Sequence, residues 1–127
     1  MIAYATVGSN RIEEARQFYD GLMDIVGMQK AFEHPSGGRI YGGGNGSMFG
    51  VLQPYDGKGA TSGNGTMVGF SLENREKVDA FHAKALASGG TSEGEPGLRA
   101  GSDTAYFAYV RDLDGNKLCA YTFTPSA

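Results

Sequence analysis

The feature that most constrains the fold of this chain is an internal repeat. A displacement of 63 residues aligns an apolar strand, an amphipathic helix and a helix-ending glycine in the two halves of the sequence. The aligned pairs are Tyr4 with Met67, Val7 with Phe70, Phe18 with Phe81, and Gly27 with Gly90. A unit of about 60 residues buries too little surface to form a stable core alone. The two units are therefore expected to pack together, related by an approximate two-fold axis.

Each unit is predicted to fold as a strand, a helix and three further strands, because short apolar runs alternate with glycine-rich turns. The chain holds 21 glycines among 127 residues, and they fall between the apolar runs. The predicted strands of the first unit span residues 2–8, 28–33, 39–42 and 47–53. Those of the second unit span residues 67–72, about 91–93, 104–110 and 117–123.

Both predicted helices have local start and stop signals. Asn10 is expected to cap the first helix, with Glu13 completing a capping box, and Gly27 is expected to end it. Asn74 is expected to cap the second helix, which ends before Gly89. The predicted apolar faces comprise Ile12, Ala15, Phe18, Leu22 and Val26 in the first helix and Val78, Phe81, Ala85 and Leu86 in the second.

The chain is predicted to be one α+β domain over residues 1–127, since this length leaves little room for a second domain. The first module is expected over about 1–57 and the second over about 66–127. The segment at about 58–65 is rich in Gly, Ser and Thr, and such a composition is typical of a linker.

Charge and composition exclude several classes of function. The 11 Lys and Arg residues and 14 Asp and Glu residues give a net charge of −3, without the basic patch of a nucleic-acid-binding protein. No apolar run approaches the ~20 residues of a membrane-spanning helix, so no membrane partner is expected. The chain starts without a secretory signal pattern, and its one cysteine, Cys119, has no partner for an internal disulfide. A cytoplasmic location is the expectation.

Three sequence phrases accompany the repeat. They are Phe18-Tyr19-Asp20 in the first helix, Val78-Asp-Ala-Phe-His82 in the second, and Val110-Arg-Asp-Leu-Asp-Gly-Asn-Lys-Leu118 before the last strand. Together with the β-α-β-β-β order, they resemble the vicinal oxygen chelate superfamily, which includes glyoxalases, bleomycin-resistance proteins and extradiol dioxygenases. Members usually have proline where this chain has Leu113. The resemblance covers nearly the whole chain and implies a curved mixed sheet, shaped as a half-barrel, with a central cleft that binds a small molecule.

In the metal-dependent members of that superfamily, His or Glu side chains on the first and last strands of each module hold a divalent ion. The resemblance places Tyr4 and Met67 on the first strands, Cys119 on the final strand, and the fourth position near Gly50. None of these residues supplies the imidazole or carboxylate that such ions require. The chain is therefore expected to need no metal ion or other cofactor, and its cleft is expected to bind an apolar or aromatic ligand.

Aromatic side chains are concentrated on the later strands of both modules. Phe49 and Tyr106 are interpreted either as core residues, the usual place of aromatics at strand spacing, or as cleft lining, because aromatic residues outside the core suit a pocket for a flat ligand. Cys119 and Tyr121 share one face of the last strand by alternation, which makes Tyr121 a further candidate. Cys119 is interpreted either as a small apolar filler or as a cleft nucleophile.

Two arginines and two histidines complete the candidate set. Arg39 and Arg99 occupy comparable places between the second and third strands of their modules, where each could clamp an anionic group or remain on a solvated surface. His34 and His82 have no acidic residue at metal-ligand spacing, so structural or solvent-facing roles are expected.

The sequence favours a metal-independent small-molecule-binding protein, in the manner of the bleomycin-resistance branch. One alternative is a lyase, isomerase or dioxygenase that uses a displaced metal site, or metal-free chemistry through Tyr4, Tyr121 or Cys119. Another is an interaction role as a dimer with a vestigial cleft. A homodimer is expected because resembling proteins of this size commonly pair and short-stranded half-barrels expose apolar edges.

Overall fold

The computed structural model describes residues 1–123, and it contains eight strands and two helices in that range. The first module consists of β1 (Tyr4–Gly8), α1 (Ile12–Val26), β2 (Gln29–Glu33), β3 (Arg39–Gly42) and β4 (Met48–Leu52). The second consists of β5 (Val68–Ser71), α2 (Arg75–Ala87), β6 (Thr91–Leu98), β7 (Tyr106–Arg111) and β8 (Lys117–Thr122). Residues 124–127, the end of the predicted second module, lie outside the described part.

The strands form two four-stranded mixed sheets with the same topology. Their orders are β1-β4-β3-β2 and β5-β8-β7-β6. The first and last strands of each module pair in parallel, and the other pairs are antiparallel. The predicted α+β class and tandem β-α-β-β-β modules are thereby confirmed. The predicted curved mixed sheet is present as two open sheets.

Local signals set most of the helix ends. Gly27 ends α1 with φ of 92°, a left-handed conformation that glycine adopts without steric cost. The Asn74 side chain accepts a hydrogen bond from the Lys77 backbone at 2.9 Å and caps α2 as predicted.

The predicted cap at Asn10 is wrong. The Asn10 side chain instead makes two hydrogen bonds with the backbone of Ala60, as donor at 3.0 Å and as acceptor at 2.7 Å. The helix begins after Arg11, whose backbone N–H donates to Ser9 Oγ at 3.0 Å. The side-chain amide that the local pattern assigned to the helix cap therefore pairs instead with a residue 50 positions further along the chain.

One face of each sheet packs toward the helices, and these faces contribute to a single core. The Phe49 and Phe70 rings come from different modules and meet edge to face, with centroids 5.2 Å apart. On α2, Val78, Phe81 and Ala85 are buried as predicted, but Leu86 is 40% exposed. His82, not Leu86, fills the remaining position on the buried side of α2.

The turn between β7 and β8, residues 112–116, connects the two modules. Its contacts with the first module are Ser9 Oγ to Asp114 Oδ2 at 2.5 Å, Asn10 N to Asp114 Oδ1 at 2.8 Å, and Asn116 Nδ2 to the Gly8 carbonyl oxygen at 2.8 Å. Deeper in the interface, the buried Tyr19 hydroxyl donates to Asp112 Oδ2 at 2.5 Å. Burial, together with the neighbouring Asp112 carboxylate, raises the pKa of Tyr19 well above its ordinary value. The turn at residues 112–116 therefore links the two modules through hydrogen bonds.

Within the described range, neither helix has the length and apolar character needed to cross a membrane.

Candidate functional site

The second sheet separates its side chains cleanly into two faces, because successive residues of a strand point to opposite sides. Val110 and Leu118 are opposite each other and fully buried against the helices. Phe107 lies opposite Tyr121, and Tyr109 lies opposite Cys119, on the other face. We call this second face, with its Phe107, Tyr109, Cys119 and Tyr121 side chains, the outer face of the second sheet.

The aromatic rings of this outer face form a row. Phe107 and Tyr121 have centroids 5.0 Å apart with 13° between their planes, and Phe107 and Tyr109 are 6.1 Å apart at 20°. Phe123 meets Phe107 and Tyr121 edge to face at 5.8 and 5.6 Å. Such near-parallel and edge-to-face contacts are favourable ring geometries, so the row is an ordered apolar surface.

A cavity of about 410 Å³ borders this row. Its walls are Met67, residues 93–95 and 97–99, Phe107, Tyr109 and Lys117. Strand β6 is bulged against β7 between Ser92 and Gly94 and again between Gly94 and Gly97. These bulges bend the edge strand beside the rings, as bulges generally do. The lining residues all belong to the second module.

Two cations lie against the aromatic row. The guanidinium carbon of Arg99 is 5.3 Å from the Tyr109 ring centroid and 6.0 Å from that of Phe107. The Lys117 Nζ is 5.5 Å from the Tyr109 centroid. All three distances are within the ~6 Å range of cation–π attraction. Arg99 and Lys117 thus hold positive charge at the wall of the cavity.

Cys119 lies opposite Tyr109 in the second sheet and is almost fully buried, at 2% exposure. An ideal Cβ built on Gly69 would stand 3.0 Å from its Sγ, so the glycine admits the thiol to this position. Burial raises the pKa of Cys119 above its ordinary value, and the nearby Lys117 charge offsets this only in part. The thiol is therefore protonated at neutral pH and is a poor nucleophile.

The four positions that the resemblance aligned with metal ligands fall into two equivalent pairs. Tyr4 and Gly50 lie on the paired strands β1 and β4 of the first sheet. Met67 precedes β5, whose Gly69 is opposite Cys119 in the second sheet. Met67 alone among the four lines the cavity, and Tyr4 is 49% exposed on the other module.

The donor set at these four positions does not fit a divalent metal ion. An ideal Cβ on Gly50 would approach Ile40 Cδ1 to 2.6 Å, so any side chain at this position would require the Ile40 side chain to move. A phenol, a thioether and one protonated thiol do not replace imidazole and carboxylate ligands. Across residues 1–123, moreover, no three His, Cys, Asp or Glu side chains are grouped to hold a metal.

Besides Tyr4 and Gly50, three more of the predicted site residues lie away from the outer face of the second sheet. Phe49 is 2% exposed and packs in the core between Tyr19 and Phe70. Tyr106 extends toward α2, where its hydroxyl donates to Asp79 at 2.6 Å.

Arg39, the third of these further site residues away from the outer face, makes its contacts within the first module. It donates to both oxygens of Asp20, at 2.8 and 2.6 Å, and to Glu33. These hydrogen bonds raise the pKa of the Arg39 guanidinium. Partial burial pushes the pKa of Asp20 upward, but hydrogen bonds from Arg39 and Tyr41 outweigh this effect and leave it below its ordinary value. Arg39 thus fixes α1 against β3, in contrast to Arg99.

The two histidines take part in local contacts. His82 is buried, with Nε2 2.8 Å from Ser92 Oγ. His34 Nδ1 is 2.9 Å from Ser36 Oγ and accepts the Ser36 backbone N–H at 3.1 Å. Both side chains are therefore occupied by serine residues of their own modules.

Sequence reasoning left Phe107, Tyr109 and Lys117 out of the site. Strand alternation could have added Lys117, because it is two residues before Cys119 and four before Tyr121 on one strand. No comparable signal marks Glu93 or Glu95, since they reach the cavity through a bulged strand whose register the sequence does not show.

Comparison with known proteins identifies the family. Residues 1–120 match the family model described as Glyoxalase/Bleomycin resistance protein/Dioxygenase superfamily. A glyoxalase/bleomycin resistance protein from Albidiferax ferrireducens T118 is 39% identical, with a TM-score of 0.84 over 94% of this chain and 95% of that chain. No curated protein sequence matches the chain significantly.

More distant structures share the fold. A glyoxalase/bleomycin resistance protein/dioxygenase family enzyme from Burkholderia phytofirmans PsJN is 21% identical, with a TM-score of 0.73 over 94% of this chain and 96% of that one. A lactoylglutathione lyase from Agrobacterium tumefaciens is 16% identical, with a TM-score of 0.65 over 95% and 92% of the two chains. At these identities the likeness concerns the fold alone.

Proposed function

Because this chain belongs to the glyoxalase/bleomycin resistance protein/dioxygenase superfamily, we propose that it binds a flat apolar or aromatic small molecule without a metal ion. The binding site is the cavity at the outer face of the second sheet. The observation that carries this proposal is the row of near-parallel rings, Tyr109, Phe107 and Tyr121, beside a cavity of about 410 Å³. Small-molecule pockets commonly have volumes of about 300–1,000 Å³, and the wall of this cavity combines Met67, Leu98, Phe107 and Tyr109 with charged side chains.

The proposal favours binding over catalysis because the site lacks an activated group. A metal-dependent lyase or dioxygenase reaction requires imidazole and carboxylate ligands, which Tyr4, Gly50, Met67 and Cys119 do not provide. Nucleophilic catalysis by Cys119 requires a thiolate, and its burial favours the neutral thiol. Sequestration of a ligand, by contrast, needs only a complementary surface.

A thermal-shift experiment with chelation tests the absence of a metal requirement. EDTA should leave the melting temperature unchanged within about 1 °C, because no bound ion contributes to stability. Met67→Ala should weaken binding of a neutral aromatic probe, 2-naphthamide, about three- to tenfold through lost packing. The matched variant Met48→Ala, on the first sheet, should leave that affinity unchanged. A stoichiometric transition metal in the purified protein, or a loss of several degrees on chelation, would contradict the proposal.

We also propose that the protein is a homodimer. Large apolar side chains are exposed in both modules: Tyr4 at 49%, Phe32 at 55%, Met67 at 46%, Leu98 at 48% and Phe123 at 59%. Pairing of two copies would remove part of this apolar surface from water. Sedimentation at micromolar concentration should show a species of twice 13.4 kDa, whereas a 13.4 kDa species alone would exclude the dimer.

A further inference from the structure

We infer that the cavity of the second sheet selects planar aromatic anions, with a carboxylate as the preferred charged group. The inference rests on the proposed function and adds the chemical class of the ligand. In this arrangement the ligand ring packs beside Tyr109 and Phe107, and its carboxylate meets Arg99 and Lys117. Three features of the cavity support it: the two cations lack ion-pair partners, the neighbouring carboxylates do not cancel their charge, and the shape of the site suits a planar carboxylate.

Neither cation is neutralised by a residue of the described part of the chain. Throughout residues 1–123, Arg99 and Lys117 form no ion pair, and their contacts are with the rings of Phe107 and Tyr109. A cation on an aromatic face keeps its full charge and its N–H donors. Arg39, at the comparable place in the first module, is instead occupied by two carboxylates. The second module thus presents an arginine that remains available to an anion.

The carboxylates at the cavity wall do not cancel this charge. Glu93 is engaged by Arg111, whose Nε is 2.8 Å from Glu93 Oε1. Arg111 is in turn fixed by a hydrogen bond from its Nη1 to the Gly115 carbonyl oxygen at 2.9 Å. This leaves Glu95 as the acidic side chain of the described lining without an ion pair, against two such cations. The local balance therefore favours an anion.

The shape of the site favours a planar carboxylate over a compact ion. The guanidinium group of Arg99 offers two parallel N–H donors that match the two oxygens of a carboxylate. A flat ring system beside Phe107 and Tyr109 would contact two rings whose planes are themselves nearly parallel. A ligand with both features uses the apolar and the charged parts of the wall together.

Three naphthalene probes that share one ring system test this inference. They are 2-naphthoate, which is anionic, 2-naphthamide, which is neutral, and 2-naphthylmethylamine, which is cationic. Because the chain has no tryptophan, binding can be followed by the fluorescence anisotropy of the naphthalene. We expect 2-naphthoate to bind about tenfold more tightly than 2-naphthamide and the amine to bind most weakly. Added salt should weaken the binding of naphthoate more than that of the amide.

Variants assign the preference to particular side chains. Arg99→Gln should reduce the affinity for 2-naphthoate about tenfold and leave the affinity for 2-naphthamide within about twofold. Lys117→Gln should have the same effect to a smaller extent, and Glu95→Gln should strengthen naphthoate binding. Arg11→Gln, which removes an exposed arginine of the first module, is the matched control and should change neither affinity. Melting temperatures show whether each variant is folded.

The outcomes separate this inference from the proposed function. Tight binding of 2-naphthoate that depends on Arg99 supports both. Equal binding of the three probes, or preference for the amine, overturns the anionic class while leaving the aromatic-binding function in place. If none of the probes binds, or if Met67→Ala has no effect on any of them, the cavity is not the ligand site and both proposals fail.

Discussion

Replacing Asp112 with alanine should lower the melting temperature by more than about 10 °C, because it removes a buried carboxylate that satisfies four hydrogen-bond donors. Its oxygens accept from the Tyr19 hydroxyl at 2.5 Å, from the backbone N–H groups of Asp114 at 2.9 Å and Asn116 at 2.8 Å, and from the Asn116 side chain at 2.9 Å. Alanine would leave buried donors without partners at the junction of the two modules, at a cost of about 3–5 kcal/mol.

Two matched variants isolate the cause of this loss. Tyr19→Phe removes a single donor and should cost only about 1–2 kcal/mol, since the Asp112 carboxylate keeps its other partners. Asp103→Ala alters an exposed aspartate and should be nearly neutral. Thermal and urea unfolding can be compared across the set. A shift of less than about 3 °C for Asp112→Ala would show that the turn does not hold the modules together.

The Phe49→Ala variant should lose about 3–5 kcal/mol of stability, the ordinary cost of removing a buried aromatic ring from a core. The Phe49 ring has centroid distances of 5.1 Å to Tyr19, 6.5 Å to Tyr41 and 5.2 Å to Phe70. These contacts join the first sheet, α1 and the second sheet. The expected loss should be visible in the urea midpoint as well as in the melting temperature.

The matched aromatic change Tyr121→Ala distinguishes a core role from a ligand-binding role. Tyr121 is half-buried on the outer face of the second sheet, so its removal should cost less than about 2 kcal/mol and should weaken binding of 2-naphthoate. Phe49→Ala should leave binding by the folded fraction unchanged. If Phe49→Ala were well tolerated and Tyr121→Ala strongly destabilising, the assignment of the two sheet faces would be reversed.

The architecture of this protein could be predicted from sequence because its signals are local and are repeated. Apolar runs with strand or helix spacing, separated by glycines, define the same element order twice. The end of α1 at Gly27 and the cap of α2 at Asn74 depend on residues within a few positions. Their physical causes, a left-handed backbone and a short side-chain hydrogen bond, lie in the segment itself.

Tertiary contacts decided the elements where the local prediction failed. Asn10 has a good capping sequence, yet its amide pairs with the Ala60 backbone. Leu86 has helical spacing, yet it lies at the exposed edge of α2. In the first case a residue from elsewhere in the fold takes the capping side chain. In the second, the buried side of α2 includes His82 and leaves Leu86 outside it.

The sequence by itself determined the two modules, their element order and the parity that puts Cys119 and Tyr121 on one side of the last strand. Only the tertiary structure decided which side of each strand faces the helices, because alternation separates two faces without telling which one is covered. The choice of the covered face places Phe49 in the core and Phe107 beside the cavity. The tertiary structure also decided that Arg39 is neutralised by Asp20 while Arg99 lies on aromatic rings. Ion pairs form between residues that folding brings together, so their partners cannot be found by spacing along the chain.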